Sequence, residues 1–371
     1  MGSSKEILEK MFAGGGITIN GTNPWDIQVH NPKFYDRFLS KGTIGFGESY
    51  MEGWWDVEAP DELFFRILYH RVDKLIPKNF DTIKYMLKAR FMNRQTKSRA
   101  KEVVNKHYDI RDDVFEKTLD KRMLYSCGYW ETAQTMDQSQ EDKLDLICRK
   151  LKLEPGMRML DLGCGWGGLS QFAAERYGVT VVGLTISEEQ AKIARKVTAG
   201  LPVEIRVQDY RDLHDQFDRI ACMAMMEHIG YRNYRTLMET IAENLTDDGI
   251  ALVHTIGGNY NTKITDPWID KYIFPNGMLP SAAQITTAAM GLFILEDWQN
   301  FGVYYDRTCM EWAKKFESNW PELSANYDES FKRMWLFYLY ASAASFRARK
   351  NHLWQIVYTK PKKLGLYKGI R

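Results

Sequence analysis

Residues 161–168 hold the glycine pattern most able to bind a charged small molecule. They read Asp-Leu-Gly-Cys-Gly-Trp-Gly-Gly and follow a short apolar run that predicts a buried strand. Glycines at such a turn permit positive φ and let a ligand approach the backbone. Gly163, Gly165 and Gly168 also satisfy the GxGxxG spacing of dinucleotide-binding proteins, so the glycines alone leave a nicotinamide cofactor open.

The residues around this turn favour one cofactor over the other. Asp161 directly precedes the glycines, where its carboxylate can bind an ammonium group rather than face a pyrophosphate. Residues 183–187, at the end of the second predicted strand, lack the acid that holds the adenosine ribose of a dinucleotide. Asp209 ends the third strand, where it can accept a hydrogen bond from an adenine amino group. These features favour S-adenosylmethionine, and therefore a methyltransferase.

Segments spread along the chain carry a family resemblance. The most specific are Tyr-Ser-Cys at 125–127 and His-Thr-Ile-Gly at 254–257. The full set of segments is 47–55, 107–109, 125–130, 161–168, 227–228, 254–257 and 272–277. Together they resemble the cyclopropane-fatty-acyl-phospholipid synthases over essentially all 371 residues. The resemblance implies that the chain adds a methylene from S-adenosylmethionine across a cis double bond of a phospholipid acyl chain.

The same resemblance implies where the two small molecules bind. For S-adenosylmethionine, Thr185 and Gln190 would meet the ribose, and Asp209 with Tyr210 would lie near the adenine. Its remaining contacts would be Tyr125, Ser126, Gly163 and Gly165, with Asp161 as the acid described above. The family is also known for a bicarbonate ion in the active site. Its expected contacts are the backbone N–H groups of Cys127 and Ile256 and the side chains of Glu227, His254 and Tyr305.

The residue types suit the chemistry. An alkene is a poor nucleophile, so its reaction with a sulfonium leaves a carbocation that needs shelter and a base. Aromatic faces stabilise a desolvated cation by roughly 0.5–2 kcal/mol each. A buried anion serves as base only if its oxygens are well hydrogen-bonded. The aromatic candidates are Tyr129, Trp130, Tyr272, Phe274, Tyr304 and Tyr305.

Other functions are weighed against this one. A related lipid methyltransferase would quench the same cation as a methyl branch, and a non-catalytic lipid-binding protein would consume no donor. Cysteine catalysis is disfavoured because Cys127, Cys164 and Cys222 show no activating neighbours. No metal-ligand spacing is evident.

Alternating strands and helices must position these residues. Predicted strands fall at 157–162, 179–184, 203–208, 217–223, 250–255, 293–297 and 353–358. Helical periodicity covers 169–177, 188–198, 231–245 and most of 310–349. The pattern predicts an α/β fold with a parallel sheet. The resemblance implies the class I methyltransferase type, Rossmann-like with a mostly parallel seven-stranded sheet. We expect a smaller N-terminal domain at 1–95, a linker at 96–106 and the catalytic domain at 107–371.

Composition bears on location and partners. The net charge of +2 predicts no nucleic-acid partner. Residues 66–106 carry twelve basic and three acidic side chains, and with Trp54 and Trp55 before them they suggest contact with an anionic membrane surface. The first twenty residues lack a signal-peptide core, no apolar run could span a bilayer, and the five cysteines suggest reduced thiols. We expect a cytoplasmic enzyme at the inner face of the cell membrane; the resemblance implies a homodimer.

Overall fold

The computed structural model describes residues 2–76 and 112–371. Within them the chain forms two compact units. The first contains residues 2–76, Lys263–Pro275 and Tyr305–Asn351, and the second contains the other described residues. The two later segments of the first unit lie in the range that the sequence assigned to the catalytic domain. The predicted linker and the basic residues Lys84, Lys88, Arg90 and Arg94 lie outside the described residues, so the boundary at residue 95 stays a prediction.

The helices and strands are numbered along the described chain. Before residue 77 they are α1 (Ser4–Ala13), β1 (Gln28–Val29), α2 (Lys33–Lys41), α3 (Thr43–Met51), β2 (Trp55–Asp56) and α4 (Pro60–Tyr69). Next come α5 (Asp112–Thr118), α6 (Met136–Lys150), β3 (Arg158–Leu162), α7 (Gly168–Tyr177), β4 (Thr180–Thr185), α8 (Glu188–Val197), β5 (Val203–Val207) and β6 (Phe217–Met223). The last are α9 (Met226–Ile229), α10 (Tyr234–Asn244), β7 (Leu245–Gly258), α11 (Pro267–Tyr272), α12 (Ala282–Ala289), β8 (Ile294–Asn300), α13 (Val303–Leu323), α14 (Glu329–Arg347) and β9 (Asn351–Thr359).

The first unit is held together by an aromatic core. Phe46 of α3 stacks on Trp55 with ring centroids 4.4 Å apart, and Phe337 of α14 meets Phe64 of α4 at 4.8 Å. Trp55 is 1% exposed, and its indole N–H donates to the Ser49 hydroxyl. Trp55 is therefore a core residue that the surrounding rings bury, and it lends no support to membrane contact by residues 1–95, which stays a prediction.

The second unit contains the seven-stranded sheet that the sequence predicts. Its order is β5-β4-β3-β6-β7-β9-β8. The strands from β3 to β7 pair in parallel, while β8 and β9 pair antiparallel. The predicted α/β fold of the class I methyltransferase type is confirmed. Helices of this unit and apolar residues of the strands form its core.

The strand order reverses between β3 and β6. From β3 the chain continues through β4 to β5 on one side, and from β6 it continues to β7 on the other. Ligands of such sheets bind at this switch point, beyond the carboxyl ends of the strands. Gly163, just after β3, lies beside Met225, just after β6: a Cβ on Gly163 would stand 3.7 Å from the Met225 sulfur. The glycine turn therefore sits at the switch point.

Some helices differ from the prediction. The predicted helical stretch at 310–349 is two helices, and the second begins where the Asp328 side chain accepts a hydrogen bond from Phe331 N at 2.8 Å. Helix α6 was not predicted, although Thr135 and Gln138 form a capping box at its start. Among residues 2–76 and 112–371, no helix is both long and apolar enough to cross a membrane.

Candidate active site

The glycine turn after β3 is built from left-handed backbone. Gly163, Gly165 and Gly167 have φ of 92°, 53° and 88°. The N–H groups of Gly163 and Cys164 donate to the Leu184 carbonyl of β4 at 3.1 and 2.8 Å, which holds the turn against the neighbouring strand. A Cβ on Gly165 would meet no described heavy atom within 4 Å, so the turn leaves room for a ligand there.

Asp161, in β3 just before this turn, has a buried carboxylate that can accept hydrogen bonds. The side chain is 1% exposed, and its Oδ2 accepts from the Ser170 hydroxyl at 2.7 Å. No partner for Oδ1 is found within the described ranges. Burial raises the pKa of Asp161 to about 6, which leaves a carboxylate that a cation would stabilise. Asp161 and the open turn together fit the ammonium end of S-adenosylmethionine.

The residues predicted to meet the ribose lie together at the end of β4. The Thr185 hydroxyl donates to Oε1 of Gln190 at 2.9 Å. Ser187 caps α8, because its hydroxyl accepts from the Gln190 backbone N–H at 3.2 Å. The structure thus brings Thr185 and Gln190 into one hydrogen-bonded pair at the carboxyl end of the sheet.

Asp209 is engaged by its neighbour at the end of β5. Its carboxylate accepts from Arg211 Nε at 2.8 Å and from a second guanidinium nitrogen at 2.6 Å. An adenine amino group would have to share these oxygens with Arg211. Tyr210 is buried, its hydroxyl has no partner in the described part of the chain, and burial raises its pKa to about 12.

The Tyr-Ser-Cys segment approaches the glycine turn through a shared ring. Phe115 of α5 contacts Tyr125 edge-on at 5.2 Å and Trp166 of the turn at 5.0 Å. Ser126 is 3% exposed and Cys127 is fully buried. The segment that the family resemblance links to the methyl donor therefore shares a neighbour with the turn.

Glu227 is hydrogen-bonded to the end of β7. It lies on the short helix α9, and its Oε1 accepts from the Ile256 backbone N–H at 2.6 Å. Its Oε2 has no partner among the residues that the structure describes. Burial raises the pKa of Glu227 to about 7, so both protonation states are accessible near neutral pH. The Ile256 N–H expected to bind an anion is here occupied by Glu227.

His254 lies two residues before Ile256 on β7, opposite Met223 of β6. It is 1% exposed, and its Nδ1 lies 3.3 Å from the amide nitrogen of Gln355. With the amide in this orientation its nitrogen can only donate, so the arrangement fits the tautomer that carries its proton on Nε2; Nε2 has no partner within residues 2–76 and 112–371. Burial and the charges of two lysines hold the pKa of His254 well below its usual value. His254 is thus a neutral ring with a free N–H donor.

The other two predicted anion contacts have different surroundings. Cys127 is in the same unit as Glu227 and His254, and its thiol donates to the Gly128 carbonyl at 3.2 Å. Tyr305 belongs to the first unit, where its ring stacks on Phe346 at 4.3 Å. A meeting of Tyr305 with Glu227 and His254 stays a prediction.

Aromatic rings adjoin His254 in the second unit. Phe301 lies 5.7 Å from the His254 ring and also 5.7 Å from Tyr129. Tyr129 meets Tyr304 edge-on at 5.4 Å, and the Tyr304 hydroxyl donates to Glu131. Two of the predicted aromatic candidates are therefore in this cluster. Phe301 and Gln355 escaped the sequence analysis, because neither belongs to a motif.

Cysteine catalysis gains no support from the structure. Burial raises the pKa values of the Cys148, Cys164 and Cys222 thiols, which disfavours the reactive thiolate.

The sheet, its switch-point glycine turn and the buried Asp161 define a class I S-adenosylmethionine-dependent methyltransferase. The sequence matches the family model for mycolic acid cyclopropane synthetase over residues 95–356. It is 48% identical over 365 residues to the cyclopropane-fatty-acyl-phospholipid synthase of Escherichia coli (strain K12), covering 98% of this chain and 94% of that protein. The chain belongs to the cyclopropane-fatty-acyl-phospholipid synthase family.

Two further proteins are informative. A probable fatty acid methyltransferase of Pseudomonas putida is 30% identical over 366 residues, covering 95% of this chain and 91% of that one. The solved structure of mycolic acid cyclopropane synthase CmaA1, complexed with SAH and CTAB, is 31% identical, with a TM-score of 0.66. It covers 70% of this chain and 98% of the other. The expected dependence on S-adenosylmethionine is confirmed at the level of the enzyme class.

Proposed function

We propose that this enzyme converts cis double bonds of membrane phospholipid acyl chains into cyclopropane rings, with a bound bicarbonate ion as the base. The observation that carries the proposal is the pairing of Glu227 with the β7 backbone beside His254. Both side chains are buried, and each has one polar atom without a described partner. Such atoms are costly unless a polar ligand satisfies them.

The donor site and the aromatic cluster serve the first half of the reaction. When bound, S-adenosylmethionine supplies an electrophilic methyl group that even an alkene can attack. In this proposal Asp161 holds the ammonium end, and the glycine turn allows close approach. Tyr129, Phe301 and Tyr304 would then face the positive charge on the acyl chain, where each ring contributes about 0.5–2 kcal/mol.

The second half requires removal of a proton from the new methyl group. A carbonate-type anion fits the two polar groups on β7 and α9. The Nε2–H of His254 donates to an oxygen, and Glu227, whose pKa burial raises to about 7, can accept or return a proton. Cys127, Ile256 and Tyr305 complete the predicted set, with Ile256 N–H shared between Glu227 and the ion. These residues fit a small oxyanion because they include both donors and a proton acceptor.

Membrane contact and assembly belong to the same proposal. A phospholipid substrate, which family membership supports, would bring the enzyme to a membrane surface, and we place it at the inner face of the cell membrane. The basic segment after residue 76 would supply the attraction to anionic lipid. A homodimer remains part of the proposal.

A methyl-branched product is the second candidate. The Pseudomonas putida relative carries the name of a fatty acid methyltransferase, and such a product needs the same donor and the same cation. The enzyme class leaves the non-catalytic lipid-binding alternative without support.

One incubation separates the two products. The purified chain is mixed with S-adenosylmethionine and vesicles of a cis-monounsaturated phospholipid, and the acyl chains are analysed by mass spectrometry and proton NMR. We expect a gain of one methylene, loss of the alkene signal and new upfield ring signals. A branched chain would favour the second candidate. In buffer freed of carbon dioxide we expect the rate to fall and added bicarbonate to restore it; an unchanged rate would remove bicarbonate from the proposal.

A further inference from the structure

Lys143 is a lysine without access to solvent in the second unit. It lies on α6 and is fully buried. Its Nζ donates to the Ser126 hydroxyl at 2.7 Å and to Oε1 of Gln140 at 2.5 Å. Both partners are neutral, and no ion pair joins Lys143 to an acid in the described ranges. Lysine is almost never fully buried unless it is paired, so this arrangement needs an explanation.

Helix α6 packs against the Tyr-Ser-Cys segment and is hydrogen-bonded to it. Besides the bond from Lys143, Gln140 donates through its amide to the Ser126 carbonyl at 2.8 Å. The carbonyl of Ser139 accepts from Tyr129 N at 2.8 Å. Three consecutive contacts from one face of the helix therefore fix residues 126–129. This is the stretch from which the Cys127 N–H is expected to bind the anion.

The charge on Lys143 is directed at the same region. Burial lowers its pKa to about 8, so the ammonium form still predominates at neutral pH. Its charge and that of Lys150 both contribute to the lowered pKa of His254. Asp120 contributes an opposing charge, but its carboxylate accepts from the backbone N–H groups of Leu124 and Arg122 at 2.7 and 2.9 Å. A buried cation with neutral partners is costly, and a nearby anion would offset that cost.

We propose that Lys143 is a positioning residue for the anion site: it fixes the Ser126–Cys127 backbone and supplies the buried positive charge that draws bicarbonate beside His254. The inference rests on the proposed function, since it concerns the same ion. It assigns the charge to a residue that no motif contains. It also explains why the site can hold an anion next to Glu227, whose ionised form would otherwise repel it.

Lys150 provides a matched control on the same helix. It too is fully buried, but its Nζ meets Gln299 at 2.5 Å and has the acid Asp297 at 3.8 Å. Its charge also acts on His254, but the acid Asp297 offsets that charge, and its partners belong to β8 rather than to the Tyr-Ser-Cys segment. Lys143→Met and Lys150→Met therefore remove the same group from the same helix, and only the first removes it from beneath residues 126–127.

The test measures binding of bicarbonate itself. The full chain is saturated with S-adenosylhomocysteine, bicarbonate is titrated, and the rise in thermal midpoint gives the half-saturating concentration. We expect Lys143→Met to raise this concentration about tenfold or more, as the loss of a charge-assisted interaction would. We expect affinity for S-adenosylhomocysteine to change less than about threefold, and Lys150→Met to keep the bicarbonate response.

Lys143→Gln separates the two parts of the role and stands in if Lys143→Met does not fold. Glutamine can still donate to Ser126 but carries no charge. Weak bicarbonate binding in this variant supports the charge; binding equal to that of the unsubstituted chain overturns it. Equal bicarbonate loss in Lys150→Met, or a parallel loss of S-adenosylhomocysteine affinity, also overturns the inference. If the unsubstituted chain itself ignores bicarbonate, the proposed base is wrong, which is a separate result.

Discussion

The Glu227 carboxylate accepts a hydrogen bond from the backbone N–H of Ile256, with the two atoms 2.6 Å apart. This bond links helix α9, which follows β6, to the end of strand β7, two residues beyond His254. His254 pairs with Met223 at the carboxyl end of β6, and Glu227 follows that strand on α9, so both residues lie at the same end of the sheet. The chemistry proposed for this edge leads to the following expectations.

Replacing Glu227 should remove catalysis while preserving the donor site. We expect Glu227→Ala to reduce turnover about 100-fold or more, because a group that transfers or orients a proton is lost. Glu227→Gln keeps an acceptor for Ile256 and should fold like the unsubstituted chain. His254→Ala should lose turnover to a similar extent. Turnover is measured on vesicles and S-adenosylhomocysteine binding by calorimetry; full activity in both alanine variants would contradict the assignment.

Gln355 should act through His254. Its amide nitrogen lies 3.3 Å from Nδ1, and as a donor there it would keep the ring proton on Nε2. We expect Gln355→Leu to lower turnover about tenfold and to populate the other tautomer. Nitrogen NMR of labelled histidine reports the tautomer directly. A variant with reduced turnover but an unchanged tautomer would reduce Gln355 to a packing role.

The buried carboxyl of Glu227 should make stability depend on pH. Burial raises its pKa from 4.5 to about 7, so between these values the folded chain binds more protons at this group than the unfolded chain does. The free energy of unfolding therefore falls as pH rises through that window. We expect Glu227→Gln to lose less stability than the unsubstituted chain from about pH 5 to about pH 8. Asp161, with its pKa raised to about 6, contributes the same sign in both proteins and cancels in the comparison. If the free energies of unfolding of the two proteins changed with pH in parallel, the pKa of Glu227 would be the same in the folded and the unfolded chain.

Asp161 should contribute to binding of the methyl donor. Asp161→Asn retains an acceptor for Ser170 but loses the negative charge facing the turn. We expect S-adenosylhomocysteine to bind about tenfold more weakly, since charge-assisted hydrogen bonds are worth about 1.5–3 kcal/mol. Unaltered affinity, measured by calorimetry, would assign the ammonium to another group.

Gly165→Ala distinguishes backbone strain from contact with a ligand. The φ of 53° disfavours alanine, and we expect a loss of about 1 kcal/mol in the free energy of unfolding. The added methyl group would meet no described atom within 4 Å, and the strain is the same in the free and the ligand-bound folded chain. A loss of donor affinity must therefore come from contact between the methyl group and the ligand, and we expect S-adenosylhomocysteine to bind more weakly. Unchanged affinity beside the loss in stability would mean that the ligand does not approach Gly165.

The sequence predicts the sheet well because apolar runs are local signals. Strand β6 begins and ends at Phe217 and Met223, as its run of apolar residues indicates. Helix α6 was missed for a physical reason: Lys143 and Lys150 lie in its buried face, which breaks the apolar periodicity that reveals a helix. Lys143 also bonds Ser126 and Lys150 bonds Gln299, both outside the helix, so the pattern of the helix alone could not mark the two lysines as interior.

The site residues also fall into those that a local sequence signal marks and those that only the folded chain brings together. Asp161 and the glycines follow a strand directly, and their spacing locates the donor site. Glu227 and His254 came from family resemblance, and the structure supplies the hydrogen bond that ties Glu227 to β7, the strand that carries His254. Gln355 lies 101 positions from its partner His254, a pairing that only the folded sheet creates. The burial of the Tyr-Ser-Cys segment could not be predicted, because its hydrogen-bond partners lie on helix α6, which the sequence analysis missed.

The central claim is that a cation formed on the acyl chain closes to a ring by losing a proton from the transferred methyl group. S-adenosylmethionine carrying a fully deuterated methyl group tests this directly, with vesicles of a cis-monounsaturated phospholipid as the acceptor. Ring closure must leave two deuterium atoms in the added carbon, and we predict that product by mass spectrometry. A chain that retains all three deuterium atoms as a methyl branch, or that takes up none, would contradict the account.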